Sequence, residues 1–325
     1  MATGTDPSLC GVLVIDKPAG PTSSQVVQAV RRACGVKRAG HAGTLDPAAT
    51  GVLPILIGRA TKVADFLVGS SKEYMVRGRL GLETDSHDLD GRVLRRTTVP
   101  DLDEAAVAAV LPRFRGAIDQ VPPMFSAVHH EGRRLYELAR QGRIVERRPR
   151  RIFITRLELE CCDIPEFTLR ITCSPGTYVR TLVADIGAVL GCGACVTTLR
   201  RTSAAGCSID RAIPLPDALA QLPTAAAHLL VSIEDAVEHL PKLRVQQPAT
   251  LVRNQPIAPS DAAWVDEPRP GTRYARVVND ADHLIAIVDT GIDRLPETAY
   301  YSNVKLRSPV IRWVMKKTST DIQPA

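Results

Sequence analysis

Apolar and alternating runs along the chain predict several β-strands. Residues 52–57 (VLPILI) are continuously apolar, which is typical of a buried strand. Residues 72–81 (KEYMVRGRLG) and 167–173 (FTLRITC) alternate polar with apolar residues, as strands with one face on a core do. Shorter strands are predicted over 11–15 and 196–206. The first two hundred residues are therefore expected to contain strands throughout.

A different spacing predicts helices between these strands. The segment from Thr22 to Cys34 is expected to be helical, because Thr22 or Ser23 can cap its start and Gly35 can end it. Its apolar face is formed by Val26, Val27, Val30 and Ala33. Further helices are predicted at 60–68, at 101–111, within 132–142 and from Tyr178 to Gly187.

The segment that follows Pro241 has a different character from the rest of the chain. Residues 242–316 contain short β-like runs separated by turns, including 271–278 and 284–288. Residues 1–10 are expected to be a disordered lead, and residues 317–325 a mobile tail. With 325 residues, one or two domains with a sizeable aliphatic core are expected.

Composition and charge exclude several classes of protein. No apolar run approaches the roughly 18 residues that span a bilayer. The first residues lack the basic and apolar regions of a secretory signal, so the sequence predicts a cytoplasmic protein. The eight cysteines are scattered, and Cys192 and Cys195 form a single C-x-x-C without a second pair at zinc-site spacing. Buried thiols near a turn are the preferred interpretation of that pair.

One loop combines an acid, a histidine and several glycines. Residues 40–51 (GHAGTLDPAATG) present Asp46 and His41 directly before the buried strand 52–57. Glycine permits positive φ and close approach of the backbone, and the proline after Asp46 favours an extended conformation there. A lone Asp-Pro is most often a turn whose side chain bonds its own backbone. Loops anchored on rigid strands are also where catalytic groups are found.

Four segments of the chain together resemble the TruB family of RNA pseudouridine synthases. They are the 40–51 loop with the upstream LVIDKPAGPTSS, the K-x-Y of strand 72–81, residues 173–182 (CSPGTYVRTL) and residues 199–206 (LRRTSAAG). A further match is PPMFSAV at 122–128, which resembles a family strand. The resemblance covers about residues 11–240 and is much weaker beyond them.

The resemblance implies an α+β pseudouridine synthase fold. Its central sheet is mixed and largely antiparallel, and helices and loops flank it. The catalytic domain would comprise residues 11–240, with 119–151 as a thumb-like RNA-binding insertion. Residues 242–316 would form a small β-barrel of the PUA-like kind that binds RNA.

The resemblance also implies roles for individual residues. Asp46 would be the catalytic carboxylate, Arg180 its ionic partner, and Tyr74 the residue that stacks on the flipped base. His41, Tyr178 and Leu199 would bind the substrate around that base. A strand tyrosine or a lone histidine is more often structural, so these assignments depend on the joint presence of the matched segments.

An arginine run lies within the thumb-like segment. Residues 131–151 contain eight arginines and three glutamates, a local charge of +5 against +6 for the whole chain. A run of charge is usually a solvated face, but the planar guanidinium suits phosphate oxygens and stacked bases. We therefore expect RNA backbone contacts from Arg147, Arg148, Arg150 and Arg151.

A second run, this one acidic, lies at residues 83–90. Its carboxylates lack the spacing and the closing glutamate of a calcium loop, so we interpret the run as structural.

The resemblance to the TruB family implies an RNA-modifying isomerase that converts uridine 55 in the tRNA T-loop to pseudouridine. The chemistry involves no redox change or phosphate transfer, so no cofactor and no metal are expected. The predicted partner is the T-arm of tRNA, and the protein is expected to be a monomer that does not bind membranes. Alternatives are a tRNA-binding folding factor with a weak or decayed synthase site, the catalytic subunit of a guide-RNA pseudouridylation particle, or a small-molecule enzyme that uses Asp46 as a base.

Overall fold

The computed structural model describes residues 9–126, 128–245, 262–266, 274–289 and 310–314. In that part of the chain the strands are β1 (Gly11–Lys17), β2 (Ala39–His41), β3 (Thr50–Ile57), β4 (Lys72–Leu80), β5 (Leu82–Thr84), β6 (Val93–Arg96), β7 (Gly116–Gln120), β8 (His129–His130), β9 (Arg133–Arg134), β10 (Arg150–Asp163), β11 (Glu166–Cys173), β12 (Ala194–Ala204), β13 (Cys207–Ser208), β14 (Ile213–Pro214), β15 (Lys242–Val245), β16 (Ala262–Trp264), β17 (Tyr274–Val278), β18 (Leu284–Asp289) and β19 (Val310–Val314). The α-helices are α1 (Ser23–Ala33), α2 (Ala64–Val68), α3 (Glu104–Val110), α4 (Leu135–Arg140), α5 (Val179–Val189), α6 (Leu215–Leu229) and α7 (Ile233–Ala236).

A ten-stranded mixed sheet forms the centre of the molecule. Its main order is β14-β1-β3-β12-β4-β11-β10-β7, with β2 paired to β3 and β13 paired to β12. The β1–β14 and β3–β12 pairs are parallel and the other pairs of this sheet are antiparallel. The predicted α+β fold with a mixed, largely antiparallel sheet is confirmed.

The local patterns explain why these elements form. Helix α1 begins with the expected cap, because the Thr22 hydroxyl accepts from the Gln25 backbone and the Gln25 side chain accepts in return. Strand β3 buries every residue after Thr50, as its continuous apolar run predicts. In β4 the even-numbered residues are buried against the core and the odd-numbered ones are not.

Two predicted elements differ from the structure. The expected helix at 60–68 is a 3₁₀ helix over Gly58–Val63 and becomes α-helical only at Ala64–Val68. The expected strand over 122–128 is wrong: β7 ends at Gln120, and residues 124–126 form a bend. Pro122 and Pro123 have no backbone N–H to donate to a sheet, which explains why the strand stops there.

Residues 119–151, the predicted thumb, leave the main sheet and return to it at one place. Strand β10 pairs with β7 so that Arg150 lies opposite Gln120 and Arg151 opposite Asp119. Between these strands the chain forms the β8–β9 hairpin and helix α4. Met124, Leu135 and Leu138 give this excursion a small buried cluster of its own.

A second sheet lies C-terminal to the first. Its five strands follow the order β16-β15-β17-β18-β19. One of its apolar clusters is internal and includes Leu243, Val277 and Val288. Leu284 and Ile287 belong instead to a cluster with residues of the first sheet and of α2. The ring of Tyr274 meets that of Phe66 edge-to-face at 4.9 Å, so the two sheets share a packed interface.

Parts of the predicted organisation lie outside the described residues. This applies to residues 1–8 of the expected lead, to the expected tail at 317–325 and to much of the 242–316 segment. In the described part of the chain, no helix is long and apolar enough to span a bilayer.

Candidate active site

The loop that carries Asp46 joins β2 to β3 and approaches β12 very closely. A Cβ atom on Gly51 would lie 2.2 Å from the Arg201 carbonyl oxygen, and the φ of Gly51 is +103°. Only glycine fits that position without strain. The end of the loop is therefore fixed against the strand that carries Arg201.

Two buried cations hold the loop by its backbone carbonyls. Arg201 is fully buried and donates to the carbonyls of Gly43 (3.0 Å), Thr44 (3.2 Å) and Val52 (2.8 Å). Because a buried charge is costly unless it is hydrogen-bonded, these contacts make the conformation of the loop hard to change.

Lys17 supports the other side of the same loop. Its ammonium group donates to the carbonyls of Pro47 (3.0 Å), Ala49 (2.8 Å) and Pro18 (2.8 Å). Burial lowers the pKa of Lys17 to about 8, although the negative charge of Asp46 acts in the opposite direction. Lys17 thus ties the first strand to the loop after Asp46, whereas Arg201 holds the loop before Asp46.

Arg180, near the start of α5, is an anchor for Asp46. Its Nε lies 2.9 Å from Asp46 Oδ2, and its Nη1 lies 3.2 Å from Asp88 Oδ2. Nη1 also donates to the Ser86 carbonyl (2.6 Å) and Nη2 to the Phe125 carbonyl (2.9 Å). Since Arg180 is 5% exposed and Asp46 is 39% exposed at its side chain, a buried cation orients a carboxylate that solvent can reach.

Asp88 is a site residue that the sequence analysis missed. The sequence predicts a purely structural role for the acidic run, but Asp88 shares the guanidinium of Arg180 with Asp46. Asp88 therefore gives Arg180 a second carboxylate partner. The run of acidic residues at 83–90 is a visible signal in the sequence. Nothing in that run, however, indicates which of its carboxylates pairs with Arg180, about ninety residues later in the chain.

A cavity of about 260 Å³ opens beside the Asp46 carboxylate. Its wall includes the predicted residues Asp46, Tyr74, Tyr178, Arg180 and Leu199. It is completed by Gly43, Thr44, Leu45, Val68, Lys72, Ser126, Pro175, Gly176, Thr177, Val179 and Arg201. Five of the six predicted catalytic and substrate-binding residues therefore line one cavity.

Tyr74 and Lys72 come from the same face of β4. Burial raises the pKa of Tyr74 to about 12, so its phenol is neutral at pH 7. Burial lowers the pKa of Lys72 to about 8, and the cation of Arg201 acts in the same direction. The Lys72 ammonium donates to the carbonyls of Val68 and Ser70, both at 2.9 Å. Lys72 is a second cavity residue that the sequence analysis missed.

Gln120 fixes the backbone of Tyr178. The buried Gln120 amide accepts from the Tyr178 N–H (2.8 Å) and donates to the Tyr178 carbonyl (3.1 Å). Tyr178 is the residue that caps α5, two positions before Arg180. The last residue of β7 therefore sets the position of a cavity wall.

His41 lies away from the cavity wall. It ends β2, where it pairs with Ile55, and its Nδ1 is buried with no hydrogen-bond partner among the described residues. Burial lowers the pKa of His41, and the nearby cation of Arg201 acts in the same direction. The imidazole is therefore neutral at pH 7, and the binding role expected for His41 stays a prediction.

The four arginines expected to bind RNA differ in their surroundings. Arg148 and Arg150 are exposed and make no ion pair among the described residues. Arg151 pairs with Asp119 at 3.1 Å on the surface. Arg147 is half-buried and donates to the Pro122 carbonyl at 3.2 Å, so it faces the base of the excursion.

The cysteines and acids that the structure describes form no cluster of metal ligands. Within the described residues, no group of three or more His, Cys, Asp or Glu side chains is placed to hold a metal ion. Cys192 and Cys195 are buried free thiols, as the preferred interpretation of the C-x-x-C predicted. Burial raises the pKa of Cys195 to about 11, which keeps this thiol protonated at pH 7.

Two family models match adjacent parts of the chain. Residues 31–179 match the N-terminal domain of the TruB family of pseudouridylate synthases. Residues 180–238 match the C-terminal domain of tRNA pseudouridylate synthase B. The tRNA pseudouridine synthase B of Chromohalobacter salexigens is 45% identical over 74% of this chain and 78% of its own length. The chain belongs to the TruB family. It is therefore a pseudouridine synthase by descent, and the resemblance identified in its motifs is confirmed.

Other relatives agree with this assignment. The tRNA pseudouridine synthase B of Pseudomonas aeruginosa is 42% identical over 78% of this chain and 86% of its own length. That of Burkholderia pseudomallei is 49% identical over 65% of this chain and 70% of its own length.

Solved structures resemble this TruB-family chain over nearly its whole length. A crystal structure of a Cbf5-Nop10-Gar1 complex matches with a TM-score of 0.70 at 25% identity, covering 97% of this chain and 89% of that one. An H/ACA RNP bound to a substrate RNA containing 2′-deoxyuridine matches with a TM-score of 0.68 at 25% identity, covering 94% of this chain and 84% of that one.

Proposed function

We propose that the protein converts uridine to pseudouridine in tRNA, at position 55 of the T-arm, and acts as a monomer in the cytoplasm. The observation that carries this proposal is the solvent-accessible Asp46 carboxylate, which Arg180 orients at 2.9 Å beside a cavity. Relatives named tRNA pseudouridine synthase B, at 41–49% identity, support tRNA as the substrate.

The reaction is an isomerisation that needs no external reactant. The N1–C1′ bond of uridine breaks, the uracil turns, and C5 bonds to C1′. The C5 hydrogen leaves as a proton and N1 takes up a proton, so the product is an isomer of uridine. Asp46 supplies a carboxylate that can act as a nucleophile or stabilise cationic character on the sugar. Arg180 fixes its direction. Attack at C1′, attack at C6 of the uracil and a glycal route all begin from this carboxylate.

The remaining cavity residues bind the base. Tyr74 offers a buried aromatic face for stacking, and Leu199 and Tyr178 pack around the same space. A cavity of about 260 Å³ admits a single nucleoside and not a folded stem-loop. The target nucleotide must therefore be flipped out of its stack to reach Asp46. We propose that His41 supports the nucleotides next to the flipped one.

The excursion at 119–151 is the proposed RNA-binding thumb. Its arginines lie on a segment rooted next to the cavity, since Phe125 and Gln120 contact Arg180 and Tyr178 directly. Phosphate contacts from such a segment would position the T-arm without reading its sequence. We also propose that residues 242–316 form a PUA-like module that assists RNA binding.

Replacing Arg148 or Arg150 with alanine is expected to weaken tRNA binding and to lower its salt dependence. Each lost phosphate contact should reduce the log–log salt slope by roughly one unit. Arg147 and Arg151 already have protein partners, so alanine there should change the slope less. The measurement is the Kd for tRNA across a salt series. Arg113→Ala, an exposed arginine outside the excursion, is the control. An unchanged slope in both the Arg148 and Arg150 variants would identify the run as a solvated face.

Two other functions share these residues. A catalytic subunit of a guide-RNA particle would have the same fold, and the Cbf5 complexes resemble this chain at 25% identity. The higher identity to relatives named tRNA pseudouridine synthase B favours an enzyme that works alone. A folding factor with a decayed site is disfavoured because the ion pair between Asp46 and Arg180 is intact.

Incubating the protein with an unmodified tRNA transcript tests the proposal. We expect pseudouridine at position 55, mapped by carbodiimide-dependent primer extension, without added RNA or protein. Release of tritium from [5-³H]uridine should accompany it, because C5 exchanges its hydrogen for the bond to C1′. A transcript with cytidine at position 55 is the matched control. Activity only with a guide RNA, or no activity on tRNA, would overturn the proposal.

A further inference from the structure

One serine of the cavity wall, Ser126, has a side-chain hydroxyl that is unpaired among the described residues. Ser126 lines the cavity and is 5% exposed. Its Oγ is buried and has no hydrogen-bond partner among the described residues. Most buried hydroxyls in proteins are paired, because leaving one unpaired costs free energy. The unpaired hydroxyl of Ser126 destabilises the free protein, and it lies in the wall of the same cavity as Asp46, so its presence there needs a physical explanation.

The backbone around Ser126 is held on both sides. Arg180 Nη2 donates to the Phe125 carbonyl at 2.9 Å. The Ser126 N–H donates to the Met124 carbonyl (3.0 Å), and the Ser126 carbonyl accepts from the Tyr136 N–H (3.1 Å). The peptide groups are thus satisfied without the side chain. The hydroxyl can therefore form a hydrogen bond with another molecule, while the backbone hydrogen bonds hold Ser126 in position.

The cationic side chains of the cavity, unlike the Ser126 hydroxyl, already have hydrogen-bond partners within the protein. Arg180 bonds carboxylates and carbonyls, Arg201 bonds three carbonyls, and Lys72 bonds two. Most of their donors are engaged in holding the site together. The Ser126 hydroxyl retains one donor and its acceptor lone pairs, and it comes from the segment proposed to contact RNA.

We propose that Ser126 Oγ forms a hydrogen bond with the target uridine when that nucleotide occupies the cavity. This inference rests on the proposed function. Uracil offers two carbonyl acceptors and one N–H donor, and the ribose offers a 2′-hydroxyl that both donates and accepts. Each of them can pair with a serine hydroxyl. The bond satisfies the buried hydroxyl only in the complex, so it contributes to recognition of the nucleotide.

Ser126→Ala tests the proposal because a substrate-binding role and a structural role predict opposite results. Removing an unpaired hydroxyl should leave Tm unchanged or raise it. At the same time kcat/KM for pseudouridine formation should fall about tenfold or more, as expected for a lost substrate hydrogen bond. A kcat/KM within twofold of the parent enzyme would overturn the proposal, and so would a clear drop in Tm.

Thr181→Val is the matched control. Thr181 is also 5% exposed and its Oγ1 is also buried without a partner among the described residues, but it does not line the cavity. Its kcat/KM should stay at the parent value. If Ser126→Ala does not fold, Ser126→Cys keeps the side-chain size with a weaker donor, and the same kcat/KM and Tm criteria apply to it.

A second substrate distinguishes the sugar from the base as the partner. With 2′-deoxyuridine at the target position, a bond to the 2′-hydroxyl is already absent, so Ser126→Ala should cause no further loss. A bond to the base edge predicts the same loss on both substrates. The parent enzyme is assayed in parallel on tRNA with uridine at the target position. On that substrate, no pseudouridine with the parent refutes the proposed function, whereas equal activity of parent and variant refutes only the role of Ser126.

Discussion

Asp46→Asn is expected to lower kcat for pseudouridine formation by about three orders of magnitude or more. The change keeps the size of the side chain but removes its charge and its nucleophilic oxygen. Deleting a group that participates in the chemistry corresponds to roughly 4 kcal/mol of transition-state stabilisation. The Kd for tRNA should stay close to the parent value, since phosphate contacts lie elsewhere. Single-turnover kinetics with saturating enzyme measure the effect directly.

Stability is expected to change much less than activity in Asp46→Asn. Arg180 keeps Asp88 at 3.2 Å and the carbonyls of Ser86 and Phe125, and the asparagine oxygen can still accept from its Nε. The guanidinium is therefore never left without a partner. Asp101→Asn makes the same chemical change at an exposed position outside the cavity and is the control. If Asp46→Asn forms pseudouridine within about tenfold of the parent rate, Asp46 is not the catalytic carboxylate.

Arg180→Met is expected to damage both stability and activity. The methionine leaves Asp46 and Asp88 without their shared cation and two carbonyls without a donor. Breaking a buried ion pair on one side costs about 3–5 kcal/mol. Urea denaturation measures that loss, and the tRNA assay should show almost no turnover because the Asp46 carboxylate is no longer held beside the cavity.

Arg180→Lys separates charge from geometry at this position, and Arg200→Met is a control at another ion pair. Arg180→Lys keeps the charge but cannot reach four partners with a rigid fork, so stability should be intermediate while kcat stays low. Arg200→Met removes a half-exposed ion pair with Asp16 on the same sheet and should cost less than about 1 kcal/mol. Parent-like stability and turnover in Arg180→Lys would show that the fork is not required.

The chain's local patterns predicted most of the fold. Thr22 with Gln25 and the spaced valines specify α1, and alternation specifies β4 and β11, because capping and burial of one face depend only on neighbours in sequence. The errors have local reasons as well. Prolines at 122 and 123 end a strand that the motif favoured.

Through their resemblance to a family, sequence motifs also predicted Asp46 and four of the residues that line the cavity with it. Only the tertiary structure decided how the loop that carries Asp46 is held. It placed Asp88 on Arg180, buried Lys17 and Arg201 under the loop carbonyls, and left the Ser126 hydroxyl unpaired in the cavity wall. Lysine and arginine are usually exposed, so their types alone do not predict burial. Their positions follow from the order of strands in the sheet, which brings together residues far apart in sequence and is not encoded in any single segment.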